Sequence, residues 1–268
     1  MSSTSDNPSP PQADISIRTS IAWHPDPPSE PTSTIVLTSP GKYFVDVRLL
    51  LPIDPTGALT PDRLDWAFAG TSTTSPLPPS TSPHPPTTTP HRLVASKWHH
   101  WVDTRHPDAE SVVDTAQMRI YPDGRSVEVG SMANPATGIV TPYEEVWMEG
   151  EVDAGEGGMV LQTETPEEGG RRRGVVVRVG GRIQGILRVG DGVGVQRWER
   201  SGEDGWWEVV AGMAAAAGEE EEEEEGVGDL VRAMEFVAGG GGENVHAGER
   251  VLGPERAWRV VEVWGRGG

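Results

Sequence analysis

Thr34-Ile-Val-Leu-Thr-Ser-Pro-Gly-Lys-Tyr-Phe-Val-Asp-Val-Arg-Leu-Leu-Leu51 holds two β-rich runs split by a group of turn residues, Ser39-Pro-Gly-Lys42. In the second run Tyr43, Val45, Val47 and Leu49 alternate with Phe44, Asp46 and Arg48, the period of two that marks a strand with unlike faces. Gly174–Val189 repeats the arrangement around Gly180-Gly181, a two-residue hairpin signal. Each hairpin is followed later by a tryptophan-ended strand, Tyr143–Trp147 after the first and Ala257–Trp264 after the second. The repeat predicts an all-β chain built from two similar domains in tandem, with very little helix.

Outward from these hairpins, Ile15-Ser-Ile17 alternates and Trp23 follows, whereas His24–Pro31 carries four prolines whose missing N–H donors break a helix or a central strand. Leu64–Gly70 reads as a short strand with Trp66 and Phe68 on one face and Asp65 on the other. Leu93–Asp103, Gln117–Tyr121, Ser126–Gly130 and Pro142–Met148 read as further strands, with Pro122-Asp-Gly124 as a turn. In the second half the strands are Met159–Thr163, Gly174–Val179, Arg182–Val189, Gly194–Arg200, Trp206–Val210 and the closing Ala257–Trp264. Asp229–Val237 is open between one or two helical turns and a strand. The shift to Glu and Gly over Glu149–Gly158 places the domain boundary there. The expected organisation is a disordered Ser/Pro-rich segment 1–14, an N-terminal domain over 15–150 with a Pro/Thr-rich insertion at 71–92, and a C-terminal domain over 158–266 with an Ala/Glu/Gly-rich insertion at 212–228.

The chain of 268 residues is long enough for two small cores, and its net charge is −19. Nucleic acid and anionic membrane are therefore unfavourable partners, and a basic protein surface is an easier one. With no cysteine there is no disulfide framework, zinc–thiolate site, iron–sulfur cluster or thiol nucleophile. The N-terminus lacks the basic and apolar regions of a secretory signal, and no run of eighteen apolar residues offers a membrane span. Cytoplasm and nucleus are the expected location.

No catalytic motif emerges. Gly190–Gly194 is glycine-rich, but Val195–Trp198 continues as strand rather than helix, so a hairpin turn is expected in place of a phosphate loop. His99 and His100, near Asp103 and His106, point to opposite faces of a strand and cannot easily share an ion, which favours surface or barrel-mouth histidines. Glu144-Glu145 diverge likewise, as a solvated edge or salt-bridge partners. Arg171–Arg173 reads as a solvated flank balancing Glu164, Glu167 and Glu168. An enzyme would need polar residues to converge inside a barrel, and Tyr43, Asp65, Arg119, Glu144 and Arg182 lie on strands where that is conceivable. Ten tryptophans stand beside three Phe and three Tyr, and each indole buries a large area while its N–H needs an acceptor. Trp66, Phe68, Trp98, Trp147, Trp198 and Trp264 are the candidate ligand-binding residues, facing barrel interiors; the competing reading is that such rings simply fill the space.

GKYFVDVRLLL (41–51), LDWAFAGT (64–71), GRIQGILR (181–188) and AWRVVEVW (257–264) resemble the fungal Hri family, named for interaction with a casein-kinase-I-type kinase. The resemblance implies two lipocalin-like antiparallel β-barrels in tandem, no established enzymatic activity, residence in cytoplasm and nucleus, and association with that kinase. It carries over no catalytic, metal or cofactor-binding residue. The expected function is that of a non-enzymatic interaction or scaffold protein with a protein partner and no cofactor. The alternative is binding of a small apolar or aromatic ligand inside a Trp-lined barrel.

Overall fold

The computed structural model describes residues 12–78, 90, 92–152, 156–167, 170–201, 205–213, 220–241, 245–252 and 258–265. Most of the N-terminal segment expected to be disordered, and 79–89 of the Pro/Thr-rich stretch, lie outside the described residues. The fold is nearly all β. Strands β1 (Asp14–Trp23), β2 (Thr32–Thr38), β3 (Tyr43–Leu50), β4 (Leu64–Pro76), β5 (Arg92–Asp103), β6 (Val113–Ile120), β7 (Arg125–Ala133) and β8 (Val140–Glu149) form a closed antiparallel barrel in sequence order. Closure comes from β1 pairing with β8, Ser16 opposite Glu149 and Trp23 opposite Tyr143. The founding hairpin is β2–β3, with Leu37 opposite Val45.

Chain from Gly158 onward builds a second antiparallel sheet. Its strands are β9 (Gly158–Glu167), β10 (Gly170–Val179), β11 (Arg182–Val189), β12 (Gly192–Ser201), β13 (Trp206–Met213), β14 (Arg250–Val251) and β15 (Trp258–Trp264), in the order β13-β12-β11-β10-β9-β15-β14. Gly180-Gly181 turns β10 into β11 with Gly180 at φ +55°, a left-handed value that glycine adopts without strain. Gly190 does the same between β11 and β12, so the glycine-rich segment is a hairpin.

Two stretches differ from the sequence reading. Thr71–Pro76, expected to begin an insertion, continues β4 and pairs with β5 as far as Pro76 opposite Val94. Asp229–Val237 belongs to helix α1 (Glu220–Ala238), which also takes in the second half of the stretch expected as an insertion. Leu230, Ala233, Met234 and Val237 recur at the i, i+3, i+4, i+7 spacing of one helical face and are buried against the second sheet, with Leu161, Val176, Ile183, Leu187, Trp198 and Trp258. Gly185 on β11 leaves room for this face, because an added Cβ would meet Met234 and Leu230 at 2.9 and 3.0 Å. The carbonyls ending the helix are satisfied by Arg178, whose Nη1 donates to Val237 at 3.0 Å and Ala238 at 3.3 Å.

The other face of the second sheet packs against the outside of the barrel. Ile35, Leu37, Val45, Val47, Leu49, Ala67 and Ala69 of the barrel wall meet Val160, Val175, Val177, Ile186 and Val195 in one apolar layer, each large side chain contributing roughly 1.5–3 kcal/mol by leaving water. Gln184 and Arg197 carry polar side chains into this layer, and every side-chain nitrogen and oxygen of the two is hydrogen-bonded. Gln184 donates to the carbonyls of Ile35 (3.0 Å) and Val45 (2.9 Å). Arg197 donates to the Val47 carbonyl (2.6 Å), to Ser33 Oγ (2.8 Å) and to Gln184 Oε1 (2.9 Å). Burial pulls the Arg197 pKa down to about 10, still above neutrality, so a charged guanidinium pins the sheet to the backbone of β2 and β3.

Candidate functional site

Because the apolar side of β3 is spent on the contact with the second sheet, its other side, Phe44, Asp46 and Arg48, faces the barrel interior. The same division on β4 turns Trp66 and Phe68 inward and Ala67 and Ala69 outward. The interior encloses a cavity of about 750 Å³, large enough for a small organic molecule. Phe44, Trp66, Phe68, Trp98 and Trp147 form its aromatic wall. Phe44 and Phe68 meet edge to face at 5.8 Å, and Trp66 lies 4.3 Å from Phe68. Lys42 of the β2–β3 turn and Tyr121, Pro122 and Gly124 of the β6–β7 turn line the end where the cavity opens.

A charged network occupies the opposite end. Arg18 donates from Nη1 to Glu145 Oε1 at 2.5 Å and from Nε to Glu30 Oε2 at 2.9 Å. Arg48 donates to Asp46 Oδ2 at 2.9 Å, and its Nη1 lies 3.5 Å from Glu145 Oε1. Burial disfavours the charge of both arginines, yet the adjacent carboxylates outweigh it and hold both pKa values above the ordinary guanidinium range. The Arg48 guanidinium also lies 5.1 Å from the Trp66 ring and 5.4 Å from the Phe68 ring, a cation over an aromatic wall.

Glu128 of β7 stands opposite Glu145 in the β7–β8 register. Burial first, and then the Glu145 charge, push its carboxyl up to about 8, while Tyr143 partly offsets them by donating its phenolic hydrogen to Oε1 at 2.7 Å. The same burial, with the Glu128 charge, raises the Tyr143 phenol further. Gly130 makes this bond geometrically available: the Tyr143 ring lies directly over it, and a Cβ there would come 2.6 Å from the phenolic oxygen.

A second buried cluster sits in the wall beside Trp66. His100 stacks on Phe68 at 4.3 Å with an interplanar angle of 14°. Its Nδ1 is 2.7 Å from Asp103 Oδ2 and its Nε2 is 3.2 Å from Asp114 Oδ2. Burial opposes protonation of the ring, but the two aspartates outweigh it and raise its pKa. Asp103 in turn accepts from Trp66 Nε1 at 2.9 Å and from the Arg105 backbone N–H at 2.7 Å. The surface reading of these histidines therefore fails for His100, which is buried, and holds for His99, which is exposed. Among the described residues no group of three or more His, Asp or Glu is placed to hold a metal ion.

Of the residues singled out for ligand contact, Trp66, Phe68, Trp98 and Trp147 line the cavity. Trp198 and Trp264 do not. Trp198 is in the core beneath α1, its Nε1 donating to Gln196 Oε1 at 3.1 Å, because that face of the second sheet is filled by the helix. Trp264 packs into the layer between the sheets. The polar residues considered for convergence do not meet inside the barrel: Tyr43 packs on the inter-sheet layer, Asp65 pairs with Arg105, Arg119 and Glu144 come within 3.9 Å of each other on the outer side, and Arg182 bonds Glu199. Convergence is achieved instead by Arg18, Asp46, Arg48, Glu128, Tyr143 and Glu145. Glu144-Glu145 do diverge, one half-buried on the outer side and the other buried between two arginines. Arg171–Arg173 is only partly a solvated flank: Arg171 and Arg173 pair with Glu110 and Glu164, while Arg172 is buried and 3.1 Å from Asp229 of α1.

These features define a β-barrel protein with an internal cavity, aromatic on one wall and charged at one end, backed by a helix-filled second sheet. Residues 14–262 match the family described as Protein HRI1, and the chain belongs to that family. Its fold is similar to the crystal structure of an uncharacterized protein, YLR301w, from Saccharomyces cerevisiae, with a TM-score of 0.63 and 16% identity over 94% of this chain and 99% of that one. Comparison with curated proteins gives no match.

Proposed function

We propose that this protein is a non-enzymatic small-molecule-binding protein whose ligand enters the open end of the barrel and stacks on its aromatic wall. The cavity of about 750 Å³ carries this reading, since it combines the strand-borne aromatic side chains of Phe44, Trp66, Phe68, Trp98 and Trp147 with fixed charges at its closed end. Arg18, Arg48, Asp46 and Glu145 hold one another in ion pairs, an arrangement suited to orienting a ligand rather than to exchanging protons with it. The test is titration with a panel of aromatic ligands, following tryptophan emission, alongside native mass spectrometry of protein purified without denaturation. Quenching or a bound mass is the expected result. Trp98→Ala should weaken binding while costing about 1 kcal/mol of stability or less, because the half-buried ring borders empty space rather than packed atoms. Emission that no panel member alters up to millimolar concentration overturns the reading.

A second reading, an interaction or scaffold protein of cytoplasm and nucleus that meets a protein partner such as a casein-kinase-I-type kinase, draws support from β13. This outer strand of the second sheet exposes Trp206 by 75% and Val209 by 46%, and aromatic side chains are enriched where proteins meet. A pull-down with the purified kinase, comparing the native chain with Trp206→Ala, decides it: retention that the substitution abolishes supports the reading, and no retention rejects it.

A further inference from the structure

The charges at the closed end of the barrel do not balance. Two guanidinium groups, Arg18 and Arg48, face four carboxylates, Glu30, Asp46, Glu145 and Glu128. The first three are paired with the arginines. Glu128 makes no ion pair among the described residues, and its single hydrogen bond comes from Tyr143 to Oε1, leaving Oε2 without a partner. The side chain is 93% buried, since its exposure is 7%, and it lines the cavity. A buried carboxylate without an ion-pair partner is costly, and an empty barrel avoids the cost by keeping the proton.

We infer that the barrel's ligand is a small molecule with an apolar or aromatic body and a protonated amine, and that the ammonium docks on Glu128 while the body lies against the aromatic wall. This rests on the ligand-binding reading above and adds the ligand's charge. The wall is already compatible with a cation, for Arg48 lies over Trp66 and Phe68. An anionic ligand would add a further negative charge beside Glu145 and Glu128, both buried. A neutral one would leave Oε2 with at best an uncharged partner.

Binding is then linked to a proton. As the ammonium arrives, Glu128 gives up its proton to solvent and the amine keeps its own, so the ion pair O⁻···H–N⁺ replaces a neutral carboxyl. The groups that set this exchange are Tyr143 and Glu145 of β8, Asp46 and Arg48 of β3 across the interior, and Asp114 of the adjacent β6, which acts through Tyr143. With the carboxyl titrating at about 8, affinity for an amine rises with pH up to that value and then levels, and one proton is released per amine bound at pH 6.

The experiment uses the full chain and three probes of one shape: 2-(1-naphthyl)ethylamine, the matching alcohol 2-(1-naphthyl)ethanol, and 1-naphthaleneacetate. Dissociation constants come from energy transfer between tryptophan and naphthalene. Proton release comes from calorimetry in two buffers of different ionisation enthalpy. The amine should bind roughly ten- to a hundredfold more tightly than the other two, as a charge-assisted bond implies, and Glu128→Gln should erase that preference while keeping alcohol binding. Proton release by the wild-type chain needs no variant, so the inference stays testable even if Glu128→Gln does not fold. Alcohol or acetate binding as tightly as the amine, or amine binding without proton release at pH 6, overturns the inference and leaves the ligand-binding reading standing. No binding by any of the three overturns both.

Discussion

The two sheets solve the same problem in opposite ways. The second sheet fills its inner face with α1, and Trp258 and Trp198 lie there among leucine, valine and methionine. The barrel leaves its interior hollow and lines it with Asp46, Arg48, Glu128 and Glu145, so its aromatic side chains border a cavity. The difference is not in the strands, which alternate in both halves, but in what is inserted between them. An amphipathic helix in the first half would abolish the cavity, and its presence in the second explains why Trp198 is a core residue whereas Trp98 lines the wall of a site.

The two interiors differ most at Trp258 and Trp98. Trp258→Ala should cost about 3–5 kcal/mol in urea unfolding, the range for a large buried aromatic, against about 1 kcal/mol or less for Trp98→Ala. Equal losses would mean that the barrel interior is as closely packed as the other. Next in size is the joint between the halves. Arg197→Ala strips the carbonyl of Val47 and the side chain of Gln184 of a buried charged donor, and a loss of about 3 kcal/mol is expected. A loss below about 1 kcal/mol would show the contact to be incidental.

The most gradual effect separates the halves by pH. Glu128 holds its proton in the folded barrel up to about 8 but releases it near the ordinary glutamate value when unfolded. Between those values the folded chain binds more protons than the unfolded one. Its contribution is therefore fully present below about pH 4.5 and fades as pH rises towards 8. The slope attributable to this group is at most about 1.4 kcal/mol per pH unit. Unfolding midpoints measured from pH 5 to 9 should show this decline in the native chain and a shallower one in Glu128→Gln. Parallel profiles would place the titrating group elsewhere.

Much of the architecture was legible. Thr34–Leu51, Gly174–Val189 and the two tryptophan-ended strands are strands or hairpins where the alternation put them, since period-two patterning is local and survives any tertiary context. Helix α1 was also written in the sequence, in the spacing of Leu230, Ala233, Met234 and Val237, but the glutamate- and glycine-rich stretch before it masks that pattern. The charged end of the site was not legible. Alternation shows that Val45 and Asp46 face opposite ways, yet a polar face turned to water and one turned into a closed barrel read alike. What decides between them is the pairing of β1 with β8, more than a hundred residues apart, and no local pattern encodes it. For the same reason the carboxylates that meet, Glu128 and Glu145, could not be told from Glu144, which stays outside.

The layer between the sheets has a consequence for how this chain can be cut. A barrel with charges inside has its oily surface outside, on Ile35, Leu37, Val45, Val47 and Leu49, and the second sheet is the cover for that surface. The two halves are therefore mutual chaperones rather than beads on a string. Severed at the join after Glu149, the barrel would carry a sticky flank wherever it went, and its partner sheet would carry the matching one.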